Sequence, residues 1–410
     1  MKLLFNETLD YLQLKLYELF HGTYSQLSLS LLTSKLTEKR DFSPVKPESL
    51  PLASLSVCAA IVSLLKPTIP GGYMYSLVAP SIVGYFQNIW KTASVIPILK
   101  PGKDPTLPDS FRPISLLPVL SKITKKIIQK RLCQHLNDND ILIPQQHGFR
   151  AGLSTSHQLL RVVEYIKTGF RDRKSTGAVF LDIQKAFDRV WHVGLLYKLI
   201  KINTPPHLIK LISSFLTNRS FAVKVNNIHS TNRKINAGTP QGSSISPILF
   251  NIYVNDIPRT SQSTICVFAD DTAILAQSNE LQLVTHFLHK HIAKLEDWFS
   301  TWKIALNVAK TEAVFFSHHI KKEPPKLYLH NTHVPWSKST KYLGVILDKR
   351  LTFKQHIIQI RRKFNISVAK VFPLIARKSC LSLRNKMLIY KLVLRPILQY
   401  ASPIWGRSLF

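Results

Sequence analysis

The chain has 410 residues, 45% of them hydrophobic and 10% aromatic, which suits a folded protein of two or three lobes and argues against a disordered one. Fifty-five Lys and Arg against 23 Asp and Glu give a formal charge of +32, far beyond what solubility needs, and point to a polyanionic partner. No apolar run reaches the roughly 20 residues a membrane span needs, MKLLFNETLD is not a secretory signal, and four scattered cysteines without a CxxC suit a reduced compartment, nucleus or cytoplasm.

In chain order, residues 1–80 read as a helical leader with Leu12, Leu16, Leu19 and Phe20 at helical spacing and no motif. From Trp90 the character changes. A strand at Ser94–Leu99 precedes a basic, Pro- and Gly-rich turn, then Phe111–Ser115 and a helix through Lys122–Leu132. Lys100, Lys103 and Arg112 would project from a hairpin able to grip phosphates, although an ordinary basic loop has the same composition. The loop Pro144–Arg150 leads to a helix opened by Ser154 or Thr155.

Gly177–Trp191 reads GAVFLDIQKAFDRVW, with a strand over Ala178–Leu181, Asp182 at its end and a helix over Ile183–Val190. An acid at the carboxyl end of a strand is rigidly mounted for metal binding; a helix N-cap accounts for it equally well. Phe187 could bend back beneath anything bound at Asp182. Thr239–Ser244 contains a Pro-Gln-Gly turn that would let Gln241 and Gly242 approach a flat ligand, and it opens a helix over Pro247–Asn255.

Ser263–Gln277, STICVFADDTAILAQ, predicts a hairpin with Asp270 and Asp271 in its turn and no cation among its fifteen residues. A divalent ion is the usual remedy for two such adjacent charges. His286, His289 and His291 fall on an amphipathic helix with Leu281, Val284, Leu288, Leu295 and Trp298, and read as a solvated flank. Leu306–Thr311 leads into a strand at Glu312–Ser317, and Lys341–Val345 is another short strand. Lys349–Phe410 holds fourteen Lys or Arg and no acid on a helical pattern, as a phosphate-tracking surface would.

Asp182, Asp270 and Asp271 are therefore three carboxylates from separate stretches. Two divalent ions about 4 Å apart on such carboxylates promote in-line displacement at phosphorus, and Mg²⁺ suits few protein carboxylates plus substrate oxygens, with Mn²⁺ its usual substitute.

The ordered set FLDIQKAFD, GTPQGSSISPILFN, FADDTA, LNVAKT and KYLGV resembles the reverse transcriptase domain of non-LTR retrotransposons, closest to the jockey-like group, over about Gly84 to Asp348. The resemblance implies an α+β right-hand polymerase with fingers, a palm on an antiparallel sheet and a helical thumb. Its expected boundaries are a leader over 1–80, fingers and palm over 81–347, and a basic thumb over 348–410. It implies RNA-directed DNA synthesis from a DNA primer, an RNA template and deoxynucleoside triphosphates, with no membrane partner.

By the same resemblance Asp182, Asp270, Asp271 and the Ile183 carbonyl would hold metal. Phe187 would bar a ribose 2′-hydroxyl, and Lys100 and Arg112 would contact the triphosphate. Gln241 and Gly242 would pack on nucleotide and template, Lys310 would protonate pyrophosphate, and Tyr342–Gly344 would grip the primer. Gln145–Arg150 would contact template. The chain departs from the family in lacking an upstream endonuclease and in reading Pro70-Gly71-Gly72 where the family's turn has an Asp, so a fragment of a longer element protein is expected. An inactive nucleic-acid-binding remnant and an intron-maturase-like RNA binder are the alternatives.

Overall fold

A computed structural model describes residues 85–226, 228–318 and 324–406; the leader expected over 1–80 lies outside the described residues. The elements run β1 (Thr92–Leu99), β2 (Phe111–Leu116), α1 (Val119–Asp138), α2 (Thr155–Arg171), β3 (Ser175–Leu181), α3 (His192–Lys201), α4 (Pro206–Leu216) and β4 (Arg219–Val225). Next come β5 (Ile228–His229), β6 (Arg233–Ile235), α5 (Ser246–Tyr253), β7 (Ser263–Phe268), β8 (Asp271–Ser278), α6 (Leu281–Thr301) and β9 (Glu312–Phe316). Short strands β10 (Leu327–Leu329), β11 (Thr332–Val334), β12 (Trp336–Ser337), β13 (Ser339–Tyr342) and β14 (Val345–Asp348) follow. The chain then turns helical: α7 (Lys354–Ile375), α8 (Leu383–Ile389), a π-helical turn at Tyr390–Leu394, α9 (Arg395–Gln399) and α10 (Ser402–Trp405).

These elements form two compact units whose chain segments interleave. The first contains the described residues up to His135, Leu199–Asn236 and Pro240–Ile245. In it β1 pairs antiparallel with β2 and parallel with β4, and β4 also carries β5 and β6. Under this sheet the apolar face of α4 buries Leu208, Leu211, Ile212 and Phe215, and Phe86 meets Phe215 edge-on at 5.1 Å. Arg219 is also buried there, its guanidinium 4.8 Å from the Phe215 ring and without a hydrogen-bond partner. Burial holds its pKa down to about 10.

The second unit contains Leu136–Lys198, Ala237–Thr239 and the described residues from Ser246 onward. Its sheet has the order β12-β9-β3-β8-β7, with β3 antiparallel to both neighbours. All seven residues of β3 are buried, because helices cover both faces of the sheet. Ala178 and Phe180 face the side where α2 contributes Leu159, Val162, Val163 and Ile166, a core that Ile404 and Trp405 of α10 complete. On the other face α6 lies so close to β3 that a Cβ on Gly177 would stand 2.7 Å from Val284 Cγ1 and 2.8 Å from Leu288 Cδ1.

Ser154, not Thr155, caps α2, its hydroxyl and backbone exchanging hydrogen bonds with His157 in a capping box. The expected strand at Lys341–Val345 is broken in the middle: Lys341 and Tyr342 end β13, Val345 opens β14, and Leu343-Gly344 is the turn of that hairpin. Leu343 and Gly344 take φ of +43° and +84° there, as a tight two-residue turn demands. Of the α6 histidines, His286 is exposed as a solvated flank would be and His289 is half-buried, but His291 differs. His291 is buried, accepting from Ser263 Oγ at 2.7 Å and donating to the Pro258 carbonyl at 3.0 Å. Among the described residues no helix is long and apolar enough to cross a membrane.

The close approach at Gly177 gives a direct test of this packing. Gly177→Ala should cost about 1–3 kcal/mol, because two branched side chains must shift to admit one methyl group. Thermal melting checks it, and an unchanged midpoint would contradict the fit between α6 and β3.

Candidate active site

The site forms where β3, β8 and β7 end together. Strand register fixes it: Leu181 pairs with Thr272, so the next positions outward, Asp182 and Asp271, lie opposite one another. On the other side Phe268 pairs with Asp271, leaving only Ala269 and Asp270 in the turn. The expected hairpin is present, but its turn is one residue earlier than the Asp-Asp pair, and Asp271 opens β8. Ala269 has φ +58°, a left-handed conformation that costs an L-residue roughly 1–2 kcal/mol and must be held by its surroundings.

Those surroundings come from the loop before α2. Gln146 bridges in parallel to Val267, while His147 N–H donates to Val267 O at 2.9 Å and Val267 N–H donates to Gln145 O at 3.0 Å. The expected template-contacting segment thus meets the edge of β7 through a single bridge at Gln146. Gln146 Oε1 accepts from both Gly148 N–H at 2.7 Å and Ala269 N–H at 3.0 Å.

Asp270 and Asp271 reach solvent on one side while protein crowds them on the other. Lost hydration is the first cause that raises the Asp270 pKa, with the Asp182 charge adding to it. Asp271 is pushed up to about 6, again mainly by lost hydration and then by the charges of Asp270 and Asp182. Among the described residues no Lys, Arg or His forms an ion pair with any of the three. Nor do any three His, Cys, Asp or Glu side chains close into a ready metal cage. The arrangement is an open acidic concentration lacking positive charge, and its hard oxygen donors fit a hard divalent cation.

Residues 183–190 correct a second expectation. They form turns, not a helix. Asp182 O accepts from Asn307 N–H at 2.8 Å and Gln184 N–H donates to Ala305 O at 2.8 Å, so Ile183 stands opposite Leu306 as a non-hydrogen-bonded pair. These bonds pull the chain into an extended course, and Lys185 at φ +47° blocks a helical start. The Ile183 carbonyl takes no part in this pairing. The same link brings in Lys310, exposed at the end of a 3₁₀ turn over Val308–Lys310 that follows Asn307.

Phe187 is half-buried, packed on Phe250 at 5.1 Å and edge-on to the exposed Phe149 at 6.1 Å. Residues 237–239 hold this loop: Thr239 N–H donates to Phe187 O at 2.7 Å and Gly238 N–H to Val190 O at 2.8 Å. Gly238 has φ +87° and would carry a Cβ only 2.5 Å from Asp188 O, so glycine is required there.

Asp182, Ile183, Phe187, Asp270, Asp271 and Lys310 therefore belong to the second unit. Lys100, Arg112, Gln241 and Gly242 belong to the first. Within it, Lys100 N–H donates to Ser110 O at 2.8 Å across the β1–β2 hairpin, and Arg112 is exposed on β2 opposite Ile98. Gln241 O accepts from Ser115 N–H at 3.0 Å, which lays the Gln241-Gly242 turn along the same strand; Gly242 has φ +96°.

In the second unit an antiparallel sheet covered by helices carries acids at one end, the arrangement expected of a polymerase palm. The chain belongs to the reverse transcriptase (RNA-dependent DNA polymerase) family, whose pattern matches residues 98–347. It is 38% identical over 327 residues to the probable RNA-directed DNA polymerase from transposon X-element of Drosophila melanogaster, covering 78% of this chain and 36% of that protein. It is equally identical, 38% over 332 residues, to the RNA-directed DNA polymerase from mobile element jockey of Drosophila melanogaster, with 79% and 36% covered. The jockey-like resemblance of the motifs is borne out by these relatives, of whose length the chain spans 36%. Apo telomerase from Candida tropicalis aligns over 78% of this chain and 64% of that one at TM-score 0.47 and 11% identity, too loosely to add to the argument.

Crowding three acids without a counter-ion works against folding. Asp271→Asn should raise the metal-free melting temperature at pH 8 by about 2–4 °C, because the buried-side repulsion falls and the turn keeps its hydrogen bonds. A lower melting temperature would mean that Asp271 is held by an attraction rather than tolerated against a repulsion.

Proposed function

We propose that this chain is an RNA-directed DNA polymerase domain that extends a DNA primer on an RNA template with deoxynucleoside triphosphates. One observation carries the reading: in a chain of this family, strand register sets Asp182 opposite Asp271, next to Asp270, and among the described residues no Lys, Arg or His forms an ion pair with them. Asp182, Asp270, Asp271 and the uncommitted Ile183 carbonyl are the groups that would hold Mg²⁺ or Mn²⁺. When bound, such ions make a primer 3′-hydroxyl a better nucleophile and neutralise the pyrophosphate leaving group.

The chain's own residues do the rest. Phe187, braced from behind by Phe250, keeps its ring where a ribose 2′-hydroxyl would clash, and so selects deoxynucleotides. Lys310 carries an exposed ammonium suited to protonate the departing pyrophosphate. Lys100 and Arg112 supply charge for the triphosphate, and Gln241 and Gly242 a flat support for the base pair. The functional division we assign is fingers and palm over 81–347 and thumb over 348–410. α7, α8, the π-helical turn and α9 of the basic stretch expose Lys and Arg along with Ile358, Ile366, Phe372 and Leu392, a surface suited to track a duplex backbone. Nuclear or cytoplasmic action suits such substrates.

Primer extension on an RNA template with Mg²⁺ tests the assignment. Asp270→Asn should lower the rate by at least about 10³-fold while leaving primer–template affinity within about two-fold, since it removes a metal ligand and not a phosphate contact. Equal rates in both proteins would end the polymerase reading in favour of a binding remnant. A separate comparison concerns sugar selection: Phe187→Val should raise ribonucleotide use relative to deoxynucleotide use by about ten-fold or more. An unchanged ratio would remove Phe187 from that role.

A further inference from the structure

The Ala269-Asp270 turn is held from outside its own hairpin, by three residues to which the motif reading gives no part in setting the acids. Gln146 is 1% exposed and spends its one side-chain oxygen on two amides, Gly148 N–H and Ala269 N–H. Asn251, also 1% exposed, donates from Nδ2 to Gly148 O at 2.8 Å, so the peptide on each side of Gly148 is pinned by a buried amide side chain. Gly148 itself has no room for a side chain. A Cβ there would overlap the backbone nitrogen of Ala269 and lie 2.9 Å from the Phe268 carbonyl carbon.

The arrangement is costly in its own terms. Gln146 Nε2 and Asn251 Oδ1 are both buried without a hydrogen-bond partner, and Asn251 interrupts the buried apolar run Ile248–Tyr253 of α5. A polar pair kept under those conditions, gripping the one left-handed residue beside two acids, is better explained by what it aims than by stability. A hydrogen bond to Ala269 N–H fixes the Phe268–Ala269 peptide, by which the chain enters the turn one residue before Asp270, and so bears on the direction from which both carboxylates leave the sheet.

We propose that Gln146 is a positioning residue for Asp270 and Asp271, with Gly148 and Asn251 as its brace. The residue acts through the turn and touches no substrate. The proposal rests on the polymerase reading for its catalytic meaning, but the mechanical part stands separately. It also replaces the template-contacting role implied for Gln146 by the Gln145–Arg150 motif with a role inside the sheet's own frame.

Two measurements test it. The first is hydrogen exchange of the metal-free protein. Gln146→Met, which keeps the side-chain volume and loses the acceptor, should speed exchange at Ala269 N–H by about ten-fold or more and leave the amides of β3 unchanged. Asn251→Leu should give a smaller increase at the same amide, and it serves should Gln146→Met fail to fold. The second is the Mg²⁺ dependence of primer extension. Gln146→Met should raise the Mg²⁺ concentration for half-maximal rate by about 10–100-fold while primer–template affinity stays within about two-fold. Unchanged exchange at Ala269 overturns the proposal. So does weakened primer–template binding with an unchanged Mg²⁺ requirement, which marks a template contact. If the unmodified chain extends no primer at any Mg²⁺ concentration, the polymerase reading fails, and exchange at Ala269 still decides whether Gln146 holds the turn.

Discussion

Everything distinctive in this chain depends on the pairing of β3 with β8. Seven consecutive residue pairs lock the two strands, from Ser175 opposite Ser278 to Leu181 opposite Thr272. A slip of one residue would turn every buried side chain of β3 to the other face, against either α2 or α6, so the register has almost no freedom. Like charges at the end of such a sheet cannot relax apart by sliding the strands. Asp182 and Asp271 are held opposite one another, and the sheet's cohesion is what makes their repulsion sustainable. That is the physical meaning of an acidic site on rigid elements: the fold contributes stability, and the site uses some of it.

The parts of this arrangement legible in sequence were those encoded locally. Apolar runs on either side of Asp270 and Asp271 read as two strands, and the Val-Phe-Leu run ending at Asp182 read as a third, because β-branched and aromatic residues leave few other options. The adjacency of the three acids was suggested by chemistry and by the family's motif order. What failed was whatever depends on distant backbone. Ile183–Val190 has helix-compatible residues, yet pairing with Ala305–Asn307 more than a hundred positions away holds its start extended, and turns rather than a helix follow. His291 lies on the helix that periodicity predicts, but the hydroxyl and carbonyl that bury it comfortably belong to Ser263 and Pro258. Nothing within the local window announces either partner.

Gln146 shows a third kind of limit. The loop containing it belongs to a motif for which the resemblance implies a template contact. Yet its strongest contacts run along β7 rather than outward. The available clue was Asn251, a lone amide in SPILFNIY, since a polar residue inside an apolar helix needs a partner and usually marks one. The interleaving of the two units was equally hidden. Residues 237–239 return to the second unit to hold Phe187 and Val190, whereas Gln241 and Gly242, two positions later, lie along β2 in the first. A motif continuous in sequence is thus divided between two compact bodies.

The central claim is that Asp182, Asp270 and Asp271 share divalent metal. Substituting Fe²⁺ and adding ascorbate and peroxide makes a bound metal cut the backbone beside it. The account predicts cleavage confined to the neighbourhoods of Asp182 and of Ala269–Thr272, suppressed by excess Mg²⁺ and abolished by Asp182→Asn. Cleavage elsewhere, or cuts at the hairpin that survive Asp182→Asn, would mean that the paired strand ends do not form one metal site.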